Sequence, residues 1–316
     1  MNFPVFDLHC DTLSSLLGRK MECFGSLRDN EGHISINRAK KLPGYAQCFA
    51  VFTTDMWKDK SPVSPVLAFE RQIAQFQREM HGNPEIAIAY SADDVERNLE
   101  NGLMSGILTI EGPAGFGFDP ALLSDLSLVG FRMTSLGWNE KNPLTGSNVT
   151  GGGLTEQGRE YVKQAQKNGM IVDVSHISDE GFWGIMDITE KPVIASHSNS
   201  RTIHNHSRNL TDEMFLALCQ TGGLTGINMY TDFLGENASI NTVCDHIFHF
   251  LELDPTGEHI AFGGDLDGCE SIPEGMSGID DYPLIAAALR KRGLDDTIIR
   301  NIFWNNALGV MRKCCM

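Results

Sequence analysis

Residues 4–12 read Pro4-Val5-Phe6-Asp7-Leu8-His9-Cys10-Asp11-Thr12. Val5, Phe6 and Leu8 form the apolar run expected of a buried β-strand. Successive side chains on a strand leave opposite faces, so His9 and Asp11 share one face, about 7 Å apart along the strand. An imidazole and a carboxylate at that spacing suit a borderline divalent cation such as zinc. A short His-x-Asp string also describes an ordinary hydrogen-bonded pair, so the reading turns on whether other strand ends supply partners.

Working outward from this strand, a helical turn begins at Thr12, and residues 22–44, rich in Gly, Asp and Asn, read as a long excursion before the strand Tyr45–Phe52. Ser64 caps and Pro65 opens a helix whose Val66, Phe69, Ile73, Phe76 and Met80 recur at helical spacing up to Gly82. Further apolar stretches follow at Gly106–Ile110, Leu126–Met133, Met170–Val174, Pro192–Ser196, Gly222–Asn228 and Ile260–Gly264. Helical patterns separate most of them, the clearest at 155–168, capped by Thr155 and stopped by Gly169. Continuous apolar strands alternating with helices predict an α/β fold, a single closed (β/α)8 TIM-type barrel over residues 1–316 rather than an open sheet. The short run Ile86–Ala89 exceeds the eight strands needed and is placed outside the ring.

The formal charge of -16 sets a repulsive field against nucleic acid and anionic membranes while favouring cations and small zwitterions. No apolar run approaches the roughly 18 residues of a membrane span, and no basic stretch with an apolar core opens the chain, which predicts a cytoplasmic protein. Cys10, Cys23, Cys48, Cys219, Cys244, Cys269, Cys314 and Cys315 are scattered without any C-x-x-C and read as free thiols. No G-x-G-x-x-G opens a helix, and Gly151-Gly152-Gly153, with no Lys-Ser or Lys-Thr after it, reads as a flexible loop rim.

Metal-type residues recur where such barrels build their sites, at the carboxyl ends of strands. His9 and Asp11 close the first strand, Glu111 follows Ile110, His176 follows Val174-Ser175, His197 follows Ser196 and Asp265 follows Gly264. Three histidines and three carboxylates exceed the needs of one tetrahedral zinc. They suit two divalent ions about 3.5–4 Å apart, bridged by a carboxylate and a hydroxide.

The strings DLHCDT at 7–12, IEG at 110–112, VDVSH at 172–176, SHSNSR at 196–201, RNLTDE at 208–213 and GGDLDG at 263–268 resemble the membrane (renal) dipeptidase family of zinc peptidases, within the amidohydrolase superfamily. The resemblance implies one zinc on His9 and Asp11, a second on His176 and His197, and Glu111 between them. It further implies Arg208 as the grip on a substrate's terminal carboxylate and Asp265 as the proton shuttle. An arginine fork matches a carboxylate as lysine cannot, although from sequence alone Arg208 equally suits a surface ion pair. Asp7 and Asp267 read as supporting residues, His204 and His206 as solvated loop histidines, and His246 with His249 as an outer-helix surface. Where many family members carry Leu-Thr-His after the fourth strand, this chain has Ser135-Leu136-Gly137-Trp138-Asn139, putting Trp138 at the histidine's place. Its indole can donate one hydrogen bond but cannot take up a proton, so it serves substrate binding or simply walls the pocket.

The expectation is therefore a zinc-dependent dipeptidase that hydrolyses free dipeptides through a metal-bridging hydroxide and tolerates a D-residue at the C-terminal position. Hydrolysis of a lactone, cyclic amide or N-acyl amino acid on the same metals is the alternative chemistry. A metal-loaded barrel that binds peptide without turnover is the alternative class. A small dipeptide is the expected partner, with neither nucleic acid nor membrane, and a homodimer is left open.

Overall fold

The computed structural model describes residues 2–21, 25–56 and 63–315. Cys23, named above, lies outside them. The strands are β1 (Val5–Cys10), β2 (Tyr45–Phe52), β3 (Ile86–Ile88), β4 (Met104–Glu111), β5 (Phe131–Ser135), β6 (Ile171–Asp173), β7 (Val193–Ala195), β8 (Leu224–Ile227) and β9 (Ile260–Phe262). All pair in parallel. β1 joins β2 on one side and β9 on the other, and β2 joins β4, so eight strands close into a ring with helices outside. β3 pairs only with the start of β4 and adds no member to the ring, as its sequence position suggested.

Local chemistry sets the helices that cover the ring. The Ser64 hydroxyl accepts from the Leu67 amide and Pro65 stands in the first turn of the helix Pro65–Gly82. The Thr155 hydroxyl accepts from the Gly158 amide at the start of Glu156–Lys167. Each satisfies an amide that the helix itself cannot. One expected strand is corrected: Leu126–Met133 spans two elements. Leu123–Val129 is helical, Gly130 breaks it at φ 122°, and the strand runs from Phe131 to Ser135. Leu128 and Val129 misled the reading because they are apolar residues on the outer face of a helix, 87% and 48% exposed.

Inside the ring, Phe6 and Leu8 of β1 pack with Ala46, Ile107, Met133, Ile194 and Leu224, and this layer meets Trp304, Leu308 and Met311 of the C-terminal helical segment. Each buried Phe, Leu, Ile or Met side chain here contributes roughly 1.5–3 kcal/mol by leaving water. The segment plugs the end of the barrel where the strands begin, with the Cys314 thiol reaching the Pro192 carbonyl just ahead of β7. The opposite rim stays polar.

A bulge in β1 decides what reaches that rim. Asp7 pairs with Gln47 but Cys10 pairs with Phe49, so Leu8 and His9 together oppose the single residue Cys48. Below the bulge Phe6 and Leu8 face inward; above it Cys10 joins the outer core, and His9 and Asp11 enter the barrel mouth. Under strict alternation His9 and Asp11 would instead share the outer face with Val5.

Candidate metal centre

The strand ends bring all six sequence-predicted residues together. His9 Nε2 lies 3.4 Å from Asp11 Oδ2, 3.4 Å from Glu111 Oε2 and 3.7 Å from Asp265 Oδ1. On the other side, His176 Nε2 is 3.0 Å from Glu111 Oε1 and 3.0 Å from His197 Nε2. His197 Nε2 stands 3.9 Å from the same Oε1, and its ring stacks on His9 with centroids 3.9 Å apart. Glu111 thus turns Oε2 to His9, which Asp11 also adjoins, and Oε1 to the two remaining histidines. Two of the six take left-handed backbone conformations, His176 at φ 71° and Asp265 at φ 57°. Such strain concentrates at functional sites.

Residues that sequence reasoning passed over hold these groups. Asn139 Oδ1 sits 2.9 Å from His176 Nδ1 and, as an acceptor, fixes the proton on Nδ1. The Ser196 hydroxyl donates to Asp173 Oδ2 at 2.5 Å and so accepts from His197 Nδ1 at 2.7 Å. Both imidazoles then aim an unprotonated Nε2 at the other and at a carboxylate oxygen. Lone pairs converging at about 3 Å repel one another, and a cation between them is what such a donor set fits. Asp11 Oδ1 and His9 Nε2 are also buried without a hydrogen-bond partner among the described residues. Ligand atoms of His9, Glu111 and His197 lie within 4.8 Å of one another, as do those of His9, Asp11 and Asp265.

The electrostatics agree. Burial, with the Arg208 charge beside them, holds His176 and His197 well below the usual imidazole range, which keeps them neutral. Burial opposes a charge on His9, but Glu111 and Asp11 outweigh it and carry its pKa well above the ordinary value. Burial and the neighbouring Asp11 push Glu111 up to about 7, and burial raises Asp265 to about 6. Protein carboxylates packed this closely ionise together only beside compensating positive charge.

Arg208 is buried at the same rim and is no surface ion pair. Nη1 reaches Ser198 Oγ and Nη2 the His197 carbonyl, each at 3.4 Å, its guanidinium lies 5.3 Å from the Phe233 ring centroid, and Nε is buried without a hydrogen-bond partner among the described residues. Trp138 is half-buried in the wall, its ring 5.1 Å from Phe52 and 6.1 Å from His176.

Asp7 accepts the His9 and Gly264 amides and the Tyr282 hydroxyl, and Asp267 accepts the Thr12 hydroxyl and the His33 amide. Both carboxylates therefore fix backbone and loops around the site. His206 is half-buried against Phe233 and accepts the Arg208 amide, so it shapes the Arg208 loop instead of standing free in solvent. The surface reading of His246 is corrected. It is fully buried, Nδ1 accepting from the Ser200 amide and Nε2 donating to the Leu234 carbonyl, because Val243, Ile247 and Phe250 place that side of the helix Ile240–Leu253 inward. His249 is half-buried against Asp212. No described helix is long and apolar enough to cross a membrane.

Comparisons with known proteins give the family and the fold. The sequence model of membrane dipeptidase (peptidase family M19) matches residues 1–315. An uncharacterized dipeptidase of Schizosaccharomyces pombe is 32% identical over 216 residues, 66% of this chain and 53% of its own length, so the chain spans about half of that relative. The dipeptidase tcpJ of Claviceps purpurea is 30% identical over 307 residues, 92% of this chain and 71% of its own. A crystal structure of a metallopeptidase from Rhodobacter sphaeroides, liganded with a phosphinate mimic of the dipeptide L-Ala-D-Ala, superposes with a TM-score of 0.87 at 24% identity, covering 99% of this chain and 100% of that one, and so shares the fold.

Proposed function

Because the chain belongs to the membrane dipeptidase family, we propose that it is a zinc-dependent dipeptidase acting on free dipeptides, including those with a D-configured C-terminal residue. The observation that carries this reading is the division of Glu111, Oε2 toward His9, which Asp11 adjoins, and Oε1 toward His176 and His197. That arrangement supports two divalent ions, one on each pair, with Glu111 serving both. Bound there, the ions supply a water whose pKa is lowered toward about 7 and a polarising charge for the scissile carbonyl.

The remaining roles belong to this chain's own groups. The buried Arg208 guanidinium, whose Nε–H has no hydrogen-bond partner among the described residues, meets the substrate's terminal carboxylate and fixes its far end. Asp265 Oδ2 is held by the Asn228 amide at 2.9 Å, which leaves Oδ1 as the oxygen that takes a proton and passes it to the leaving amine. Trp138 walls the pocket beside Phe52 and supplies no proton. The D-residue tolerance draws support from the L-Ala-D-Ala mimic bound by the Rhodobacter sphaeroides peptidase.

A panel of L,L- and L,D-dipeptides, each also as the C-terminal amide, assayed with and without chelator, tests the reading. Cleavage of free acids from both series, weak cleavage of amides and loss of activity on chelation are expected. Equal cleavage of amide and free acid overturns the role of Arg208, and chelator-resistant cleavage overturns the metal.

A further inference from the structure

A second set of metal-type side chains stands at the opposite end of the barrel. Cys219 lies in the last turn of the helix Asp212–Thr221, Asp254 ends the helix Ile240–Leu253, and His259 immediately precedes β9. One ligand atom from each lies within 4.8 Å of the other two, and all three residues are half-buried. A thiol, an imidazole and a carboxylate brought together from three separate elements form a donor set suited to zinc.

Two further observations point to a ligand. Asp254 Oδ1 accepts from the Thr256 amide and hydroxyl at 3.2 and 2.7 Å, whereas Oδ2 is buried and has no hydrogen-bond partner among the described residues. An orphaned carboxylate oxygen is costly unless something positive completes it. His259 Nδ1 lies 2.6 Å from the Gly223 carbonyl, an atom that can only accept. The ring proton is therefore on Nδ1 and Nε2 carries a free lone pair, the arrangement in which a backbone carbonyl orients a ligating imidazole. A cleft of about 250 Å³ bordered by Gly222, Glu258, His259 and Lys313 opens beside the ring and gives solvent a way in.

We propose that Cys219, Asp254 and His259 form a second metal site that binds one zinc-class divalent cation, separate from the centre at the barrel mouth. Bonds of about 2.0–2.3 Å at tetrahedral angles put ligand atoms roughly 3.3–3.8 Å apart, so three groups already within 4.8 Å of one another need close on the ion by no more than about 1.5 Å. Water takes the fourth position. The ion fastens the ends of two outer helices to the start of β9.

Cobalt(II) titration of the full-length protein separates the two sites, because only thiolate ligation gives an intense sulfur-to-cobalt charge-transfer band in the near ultraviolet. The parent protein is expected to show this band and to bind one more equivalent of metal than Cys219→Ser, with dipeptide hydrolysis unchanged in the variant. His259→Gln is expected to weaken cobalt binding at the same band at least 10-fold, a readout that holds where one variant folds poorly. Identical metal content and an identical spectrum in parent and Cys219→Ser overturn the proposal, whether or not the protein proves to be a dipeptidase.

Discussion

The Asn228 side-chain amide donates to Asp265 Oδ2 at 2.9 Å, and its second contact, 3.3 Å to the His197 carbonyl, ties the acid to the strand end that carries a histidine of the cluster. Asparagine therefore both orients Asp265 and chooses which of its oxygens faces the site. Asn228→Ala is expected to lower kcat by about 10–100-fold with little change in KM or in metal content, as befits a group acting through a neighbour. Steady-state kinetics with metal analysis on the same preparation checks this; unchanged kcat refutes the assignment.

Ser196 couples His197 to Asp173, so its loss is felt at the metal. Ser196→Ala leaves His197 Nδ1–H without an acceptor and Asp173 Oδ2 short of a donor. An affinity loss of about 10–100-fold for the ion on His176 and His197 is expected, measured by competition with a chelating dye.

Gly112 follows Glu111 at φ 77°, and a Cβ there would stand 2.1 Å from the Thr53 carbonyl oxygen. Both the backbone conformation and the clash with main chain forbid a side chain. Gly112→Ala is expected to destabilise the fold by about 2–4 kcal/mol in chemical denaturation and to reduce metal content by displacing Glu111. A variant as stable as the parent would mean that β2 and β4 part more easily than their packing implies.

His246 links stability to pH. Burial lowers its folded-state pKa to about 4, against an ordinary value of about 6.5. The unfolded chain then binds the extra proton first, so this contribution is complete above pH 6.5 and is lost progressively as pH falls from about 6.5 toward 4. The loss is on the order of 3 kcal/mol by pH 4. His246→Gln keeps a polar group against Ser200 and should flatten the unfolding free energy over that window relative to the parent; parallel pH profiles would show that His246 is not the titrating group.

The barrel was legible because its strands are continuous apolar runs, and the site because metal-type residues follow those runs directly, as Glu111 follows Ile110 and His197 follows Ser196. What escaped depended on the third dimension. Asn139 lies in a loop and Asn228 closes the run Gly222–Asn228, but neither is a metal-type side chain, and only the folded chain sets one against His176 and the other against Asp265. Ser196 and Asp173 lay inside quoted motifs, but their relay runs between neighbouring strands. The error at His246 came from weighing its i, i+3 spacing to His249 alone, when the Val243, Ile247 and Phe250 stripe already assigned it to the inner face. The run at Leu126 misled because hydrophobicity alone does not separate an exposed apolar helix face from a strand.

The extra peptide unit at Leu8 and His9 makes β1 two instruments in one strand. Its lower half obeys the demands of filling a cylinder, its upper half those of gripping an ion, and the change of phase lets the two evolve under separate pressures. Deleting His9 would remove the bulge, leave Phe6 and Leu8 facing inward and Cys10 opposite Phe49, so that a chain could keep its architecture and shed its chemistry in a single step.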